Sequence, residues 1–114
     1  MGFVISQSKT YSWPVEVSLP ADAGRFDKFT FDAEFARVTQ TRVEEIIKGI
    51  TEGDLSDRQV CREILKGWRG ITVDGTAEQP FSASALDEIL EFPTVGMCIV
   101  KAWMESISGA RRKN

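Results

Sequence analysis

The side chains able to do chemistry are few, and their spacing does not favour catalysis. The chain has no histidine, which removes Ser-His-Asp and Cys-His nucleophilic catalysis, imidazole acid–base chemistry and the commonest zinc sites. Adjacent carboxylates occur at Glu44-Glu45 and Asp87-Glu88. Neighbours on a helix point about 100° apart, so spacing alone does not let them share a substrate proton, and a solvated helix face accounts for both pairs. Gly67 and Gly70 are followed by Ile71-Thr72, not by the Lys-Ser/Thr of a phosphate loop, and are read as helix terminators. Asp54, Asp57 and Glu63 lack calcium-loop spacing. Cys61 and Cys98 are far apart, each without a neighbouring cysteine, so metal binding fails on ligand count. A disulfide between them stays open as an alternative, with two buried, inert thiols the expectation. The chain is expected to be no enzyme and to hold no metal or cofactor.

A length of 114 residues, 42% hydrophobic and 27% charged, suits one domain that buries a core without disulfides or a structural metal. No apolar run approaches the ~20 residues of a membrane span. No signal-peptide pattern is visible, and the expected location is cytoplasmic. Net charge is −3, of which Arg111, Arg112 and Lys113 contribute +3, so the preceding residues carry −6. Nucleic acid is therefore an unfavoured partner, although a short basic tail at residues 111–114 is compatible with a phosphate backbone or an acidic protein as well as with a solvated terminus.

Residues 1–12 have no strong period and are read as a flexible arm. From Trp13 the pattern alternates: Trp13, Val15, Val17 and Leu19 face one way, the signature of a strand with one apolar face. Pro14 places it at a sheet edge. Turn chemistry follows at Pro20–Gly24, after which Phe29 and Phe31 share a face, giving a hairpin over about residues 13–32. A short helix capped by Asp32 would carry Phe35 and Val38. The next has Val43, Ile46, Ile47 and Ile50 at helical spacing, with Thr41 and Glu44 as a capping box and Gly53 as the exit. Ser56 and Gln59 repeat the box before Val60, Ile64, Leu65 and Trp68, with Gly67 or Gly70 ending that helix. Asp74-Gly75 marks a loop or small ribbon. Ser82 caps a helix through Leu86 and Leu90, and Pro93 precedes a last helix reaching Ser108. The expected fold is α+β but mostly α: an N-terminal β-hairpin packed on a bundle of four or five short helices over about residues 33–108, in one globular domain of residues 13–110.

Binding candidates come from the apolar residues. Trp68 and Trp103 fall on helical apolar faces and read first as core. Trp13, at the start of an edge strand, suits core or interface equally. The last helix has two apolar stripes, one of Val95, Ile99, Ala102, Trp103 and Ile107, the other of Met97, Val100 and Met104. A helix apolar over so much of its circumference is either buried centrally or half occupied by a partner. Methionine adapts to partners of varied shape, so Met97, Val100 and Met104, with Trp13 contributing, are the candidate partner-binding or self-association face.

Read in order, Glu63-Ile-Leu-Lys-Gly-Trp-Arg-Gly-Ile71, Asp74-Gly75 and Pro80-Phe81-Ser82 resemble the signature of phage tail assembly chaperones. The flanks are similar too: Phe31-Asp-Ala-Glu-Phe-Ala-Arg37 upstream, and Leu86–Leu90, Pro93-Thr-Val95 and the helix to Gly109 downstream, over about residues 13–114. The resemblance implies a small non-enzymatic protein of long-tailed phages or prophages, absent from the finished particle. It would bind the tape-measure protein, keep it soluble and help bring tail-tube subunits to it, in some members also as a longer frameshifted product. Homo-oligomers are compatible with this role. The alternative is a prophage-encoded adaptor or regulator that binds nucleic acid through its basic tail, in a salt-sensitive way lost on deleting residues 110–114.

Overall fold

The computed structural model describes residues 2–4, 8–72 and 74–109. Alternation of apolar and polar side chains runs further than the sequence reading on both sides of the first turn. Strand β1 (Thr10–Pro20) and strand β2 (Phe26–Ala36) pair antiparallel without a break, from Thr10 opposite Ala36 to Pro20 opposite Phe26. β1 therefore starts inside the segment expected to be an arm. The supposed helix capped by Asp32 is the second half of β2, where Phe31, Ala33 and Phe35 are buried and Asp32 and Glu34 exposed.

The largest correction comes after helix α2 (Asp57–Ile64), which stops at Ile64 where the sequence pattern carries a helix on to Trp68. The chain straightens there into strand β3 (Leu65–Arg69), antiparallel to β2. A hairpin on a bundle of helices is thereby overturned. The fold is a compact α+β domain organised by a three-stranded antiparallel sheet of order β1-β2-β3, with helix α1 (Gln40–Glu52), α2, helix α3 (Ala83–Ile89) and helix α4 (Val95–Ser108) around it.

Local signals place the helix ends. Thr39, rather than Thr41, caps α1 by accepting the Arg42 N–H at 3.2 Å. At α2 the capping box is complete: the Ser56 hydroxyl accepts from the Gln59 N–H at 3.2 Å while the Gln59 side chain accepts from the Ser56 N–H at 2.9 Å. Ser82 caps α3 through the Ala85 N–H at 3.0 Å. α2 and α4 pack on each other and on the inner face of the sheet, α4 along β1 and α2 against β2 and β3. Val15, Phe31 and Phe35 of the sheet thus meet Val60 and Ile64 of α2 and Ile99 and Trp103 of α4 in one core. Glu16, Asp32 and Glu34 lie exposed on the other face, the one-sided burial typical of antiparallel sheets. The Thr94 hydroxyl donates to the Ser18 carbonyl at 3.3 Å, so that carbonyl points away from β2. Pro14, an even number of residues earlier, has its missing N–H on the same free edge, where no ladder bond is lost.

α1 is tied to α2 by a two-pronged ion pair. Arg42 donates through Nε and Nη2 to the two Glu63 oxygens at 2.7 and 2.6 Å, and through Nη1 to Glu45 at 3.2 Å. The hydrogen bond from Arg42 holds the Glu63 carboxyl below its ordinary range. A carboxylate with a folded pKa below its unfolded value of about 4.3 stabilises the fold fully above that value. The contribution is lost as pH falls through the folded pKa. Both groups are partly exposed, so the effect is modest. Glu63→Gln is expected to lower the urea midpoint at neutral pH and to match wild type once the wild-type carboxylate is protonated. A gap that stays constant into acid would show that charge is not its source.

Candidate functional site

Within the folded body, Phe29 (53%), Phe92 (57%) and Met97 (56%) are large apolar side chains left mostly exposed near the turn end of the sheet, while Phe26 (64%) is exposed on the opposite face of β2. Phe29 belongs to the inner face, opposite Val17, yet it remains exposed. It forms one wall of a groove of about 320 Å³ with Leu19, Ile71, Ile89 and Phe92, and no charged residue lines it among the described residues. Such a concave apolar surface can accept an apolar side chain or the face of a helix.

The connection between α3 and α4 holds Phe92 in place. Pro93 is followed by Thr94 at φ 73°, a left-handed conformation unfavourable for a β-branched residue. The Thr94 bond to the Ser18 carbonyl fastens this connection to β1. Beyond Phe92 lies a second recess of about 380 Å³, bounded by Arg58, Glu91 and Met97. Arg58 Nη2 reaches Glu91 at 2.7 Å across it. Phe92 is thus a ridge shared by an uncharged groove and a recess with an ion pair at its rim.

The four residues proposed from sequence do not form one face. Met97 is exposed on the second recess. Val100 is 7% exposed and belongs to the core, because α4 lies between β1 and α2 and the core takes Val100 from the second apolar stripe as well as the first stripe. Met104 is half-buried against that core. Trp13 is half-buried at the opposite end of the sheet, beside a separate recess with Tyr11, Val38 and Ile107. Phe29 and Phe92 were missed as surface residues. The alternation of β2 put Phe29 on the inner face without showing that no helix covers it, and Phe92, directly before Pro93, was the one available signal of an apolar side chain stranded at a helix stop.

Residues that carry the family resemblance do structural work. The Trp68 indole N–H donates to the Gln79 carbonyl at 2.7 Å, and its ring meets Phe81 edge-on at 4.9 Å. The Gly70 N–H donates to Glu78 at 2.7 Å. Together they close the segment around Asp74-Gly75 into a small ribbon with Thr72 paired to Glu78. Cys61 and Cys98 are free thiols, Cys98 only half-buried. Burial, with Asp57 nearby, pushes the Cys61 thiol up to about 12, which leaves it protonated and unreactive at neutral pH. Among the described residues no group of three or more Cys, Asp or Glu side chains could hold a metal ion, and no helix is long and apolar enough to cross a membrane. The basic tail at residues 111–114 lies outside the described residues. Comparison of the chain with protein-family models, with curated proteins and with solved structures returns no match.

Proposed function

We propose that this chain is a non-enzymatic, helix-binding chaperone of phage tail assembly, acting in the host cytoplasm on a tape-measure protein and assisting the recruitment of tail-tube subunits. The reading joins the ordered motif resemblance to one observation: an apolar groove walled by Phe29 and Phe92, with no charged side chain among the described residues that line it, left open at the turn end of the sheet. A tape-measure chain is helical and carries apolar stripes before assembly. An α-helix about 10–12 Å across, presenting apolar anchors at i, i+3 and i+4, is the ligand such a groove suits. Covering the exposed half of each aromatic wall contributes roughly 0.8–1.5 kcal/mol, so the two walls supply part of the affinity of a reversible hold and the remaining contacts of the client supply the rest.

The test is co-expression with the tape-measure protein of the same phage or prophage, followed by affinity capture and sizing. Wild type is expected to hold the client in solution. Phe29→Glu with Phe92→Glu is expected to weaken capture at least tenfold, about 1.4 kcal/mol or more, with an unchanged circular dichroism spectrum, because both side chains are more than half exposed. Undiminished capture by that variant would remove the groove from the mechanism.

A further inference from the structure

We infer that the recess beside Trp13, at the end of the sheet away from the Phe29 groove, binds a segment of a partner protein that sets a carboxylate next to an apolar side chain. Tyr11 and Trp13 lie on the inner face of β1, opposite Phe35 and Ala33. With Val38 from the connection between β2 and α1, and Ile107 near the end of α4, they line a recess of about 440 Å³. Val38 is half-buried and Ile107 36% exposed, so the walls offer apolar surface to an incoming side chain.

Charge selects the rest of the ligand. Among the described residues, Arg37 is the one charged side chain on the lining. It is exposed, makes no ion pair with them, and lies over the Tyr11 ring at 5.0 Å. Its backbone N–H donates to the Lys9 carbonyl at 2.9 Å, which brings the backbone of a second cationic residue alongside. α1 opens on the same recess at Gln40, its first residue, and adds the positive end of a helix dipole. The acids of the adjoining elements are engaged elsewhere. Glu34 accepts from the Thr10 hydroxyl at 2.9 Å and Glu44 from Gln40 Nε2 at 3.2 Å, while Glu105 lines a different recess with Lys101. The Trp13 indole N–H is buried with no acceptor among the described residues, one more donor in a lining without a carboxylate. Arg111, Arg112 and Lys113 follow α4 in sequence and add to the attraction that steers an acidic partner. A guanidinium is the side chain best shaped to take a carboxylate by paired hydrogen bonds. Nucleic acid fits less well, because a base needs an open ring to stack on. Tyr11 has Arg37 over its ring and Phe35 edge-on at 6.0 Å, and Trp13 is half-buried. This site stands apart from the chaperone reading.

The test is an NMR titration of the isotope-labelled full chain with three probes: a short peptide of leucines flanked by glutamates, the same peptide with glutamines, and oligothymidylate. The glutamate peptide is expected to shift the Trp13 indole N–H and the amides of Arg37, Val38 and Ile107 to saturation. The glutamine peptide is expected to bind at least roughly tenfold more weakly, the factor for losing a hydrogen bond between charged groups. Arg37→Gln is expected to lose the same factor for the glutamate peptide, whereas Phe29→Glu with Phe92→Glu binds it like wild type. If Arg37→Gln disturbs the amide spectrum of the fold, Arg37→Lys takes its place, keeping the charge without the paired donors, and is expected to bind severalfold more weakly than wild type. No shift at these residues with the glutamate peptide, equal binding of the two peptides, wild-type binding by the Arg37 variant, or shifts with oligothymidylate at least as large would each overturn the proposal.

Discussion

Trp103→Ala is expected to destabilise the domain by about 3–5 kcal/mol, the range for removing a fully buried aromatic side chain. Trp103 is 0% exposed and lies on α4 in the core shared with the sheet and α2. Its loss would open a cavity between the two helices and β1 that rigid strands cannot close. Against a total stability of roughly 5–15 kcal/mol, this moves the urea midpoint far enough to leave a substantial unfolded fraction under mild conditions. Trp103→Phe separates volume from polarity. The indole Nε1 is buried with no acceptor among the described residues, so a phenyl ring gives up volume without giving up a hydrogen bond to the protein, and its cost is expected below about 2 kcal/mol. Urea unfolding followed by circular dichroism checks both. Equal losses for the two variants would mean that the indole N–H, not the ring volume, matters at this position.

Gly49→Val is expected to cost roughly 1–3 kcal/mol although it removes a glycine from a helix. Replacing an exposed helical glycine gains at most about 1 kcal/mol, and less for a β-branched residue. Gly49 is buried near the end of α1, and a Cβ built there falls 2.6 and 2.7 Å from Leu55 Cδ1 and Cγ. Leu55 has little room to retreat, because its own N–H donates to the Gly49 carbonyl at 3.0 Å and the Asp54 N–H joins it at 2.8 Å. The clash therefore outweighs the propensity gain, and the junction of α1 with α2 loosens. Gly49→Ala checks the sign with the Cβ alone, without the two methyl groups of valine. If thermal unfolding shows both variants as stable as wild type, Leu55 is free to move and the junction is softer than its hydrogen bonds imply.

Sequence made the hairpin and the starts of α2 and α3 legible because their signals are local. Alternation over Trp13–Leu19, the Ser56/Gln59 box and the Ser82 cap each act within a few residues. β3 was illegible for a specific reason. Glu34 pairs with Gly67 and the next residue, Phe35, with Leu65, so Lys66 is an extra residue in the ladder. That bulge puts Leu65 and Trp68 on the same face at a spacing of three, which imitates a helix. The candidate site was less legible still. Whether Phe29 is covered depends on where α2 and α4 come to lie, and Val100 entered the core because α4 has neighbours on two sides, a tertiary fact that no window of sequence contains.

The contact between β1 and α4 also orders events in time. Tyr11 and Ser106 meet at 2.6 Å across a separation of 95 residues, and α4 supplies Ile99 and Trp103 to the core over β1. Contacts so remote along the chain form late, after the entropy of closing a long loop has been overcome. During synthesis the β1–β2 hairpin can pair as soon as residue 36 is free, but Val15 and Val17 stay wet until α4 has been made and docks. An interruption within residues 95–108 would leave not a smaller version of the protein but an open apolar sheet, prone to capture by any other strand or helix in the cell.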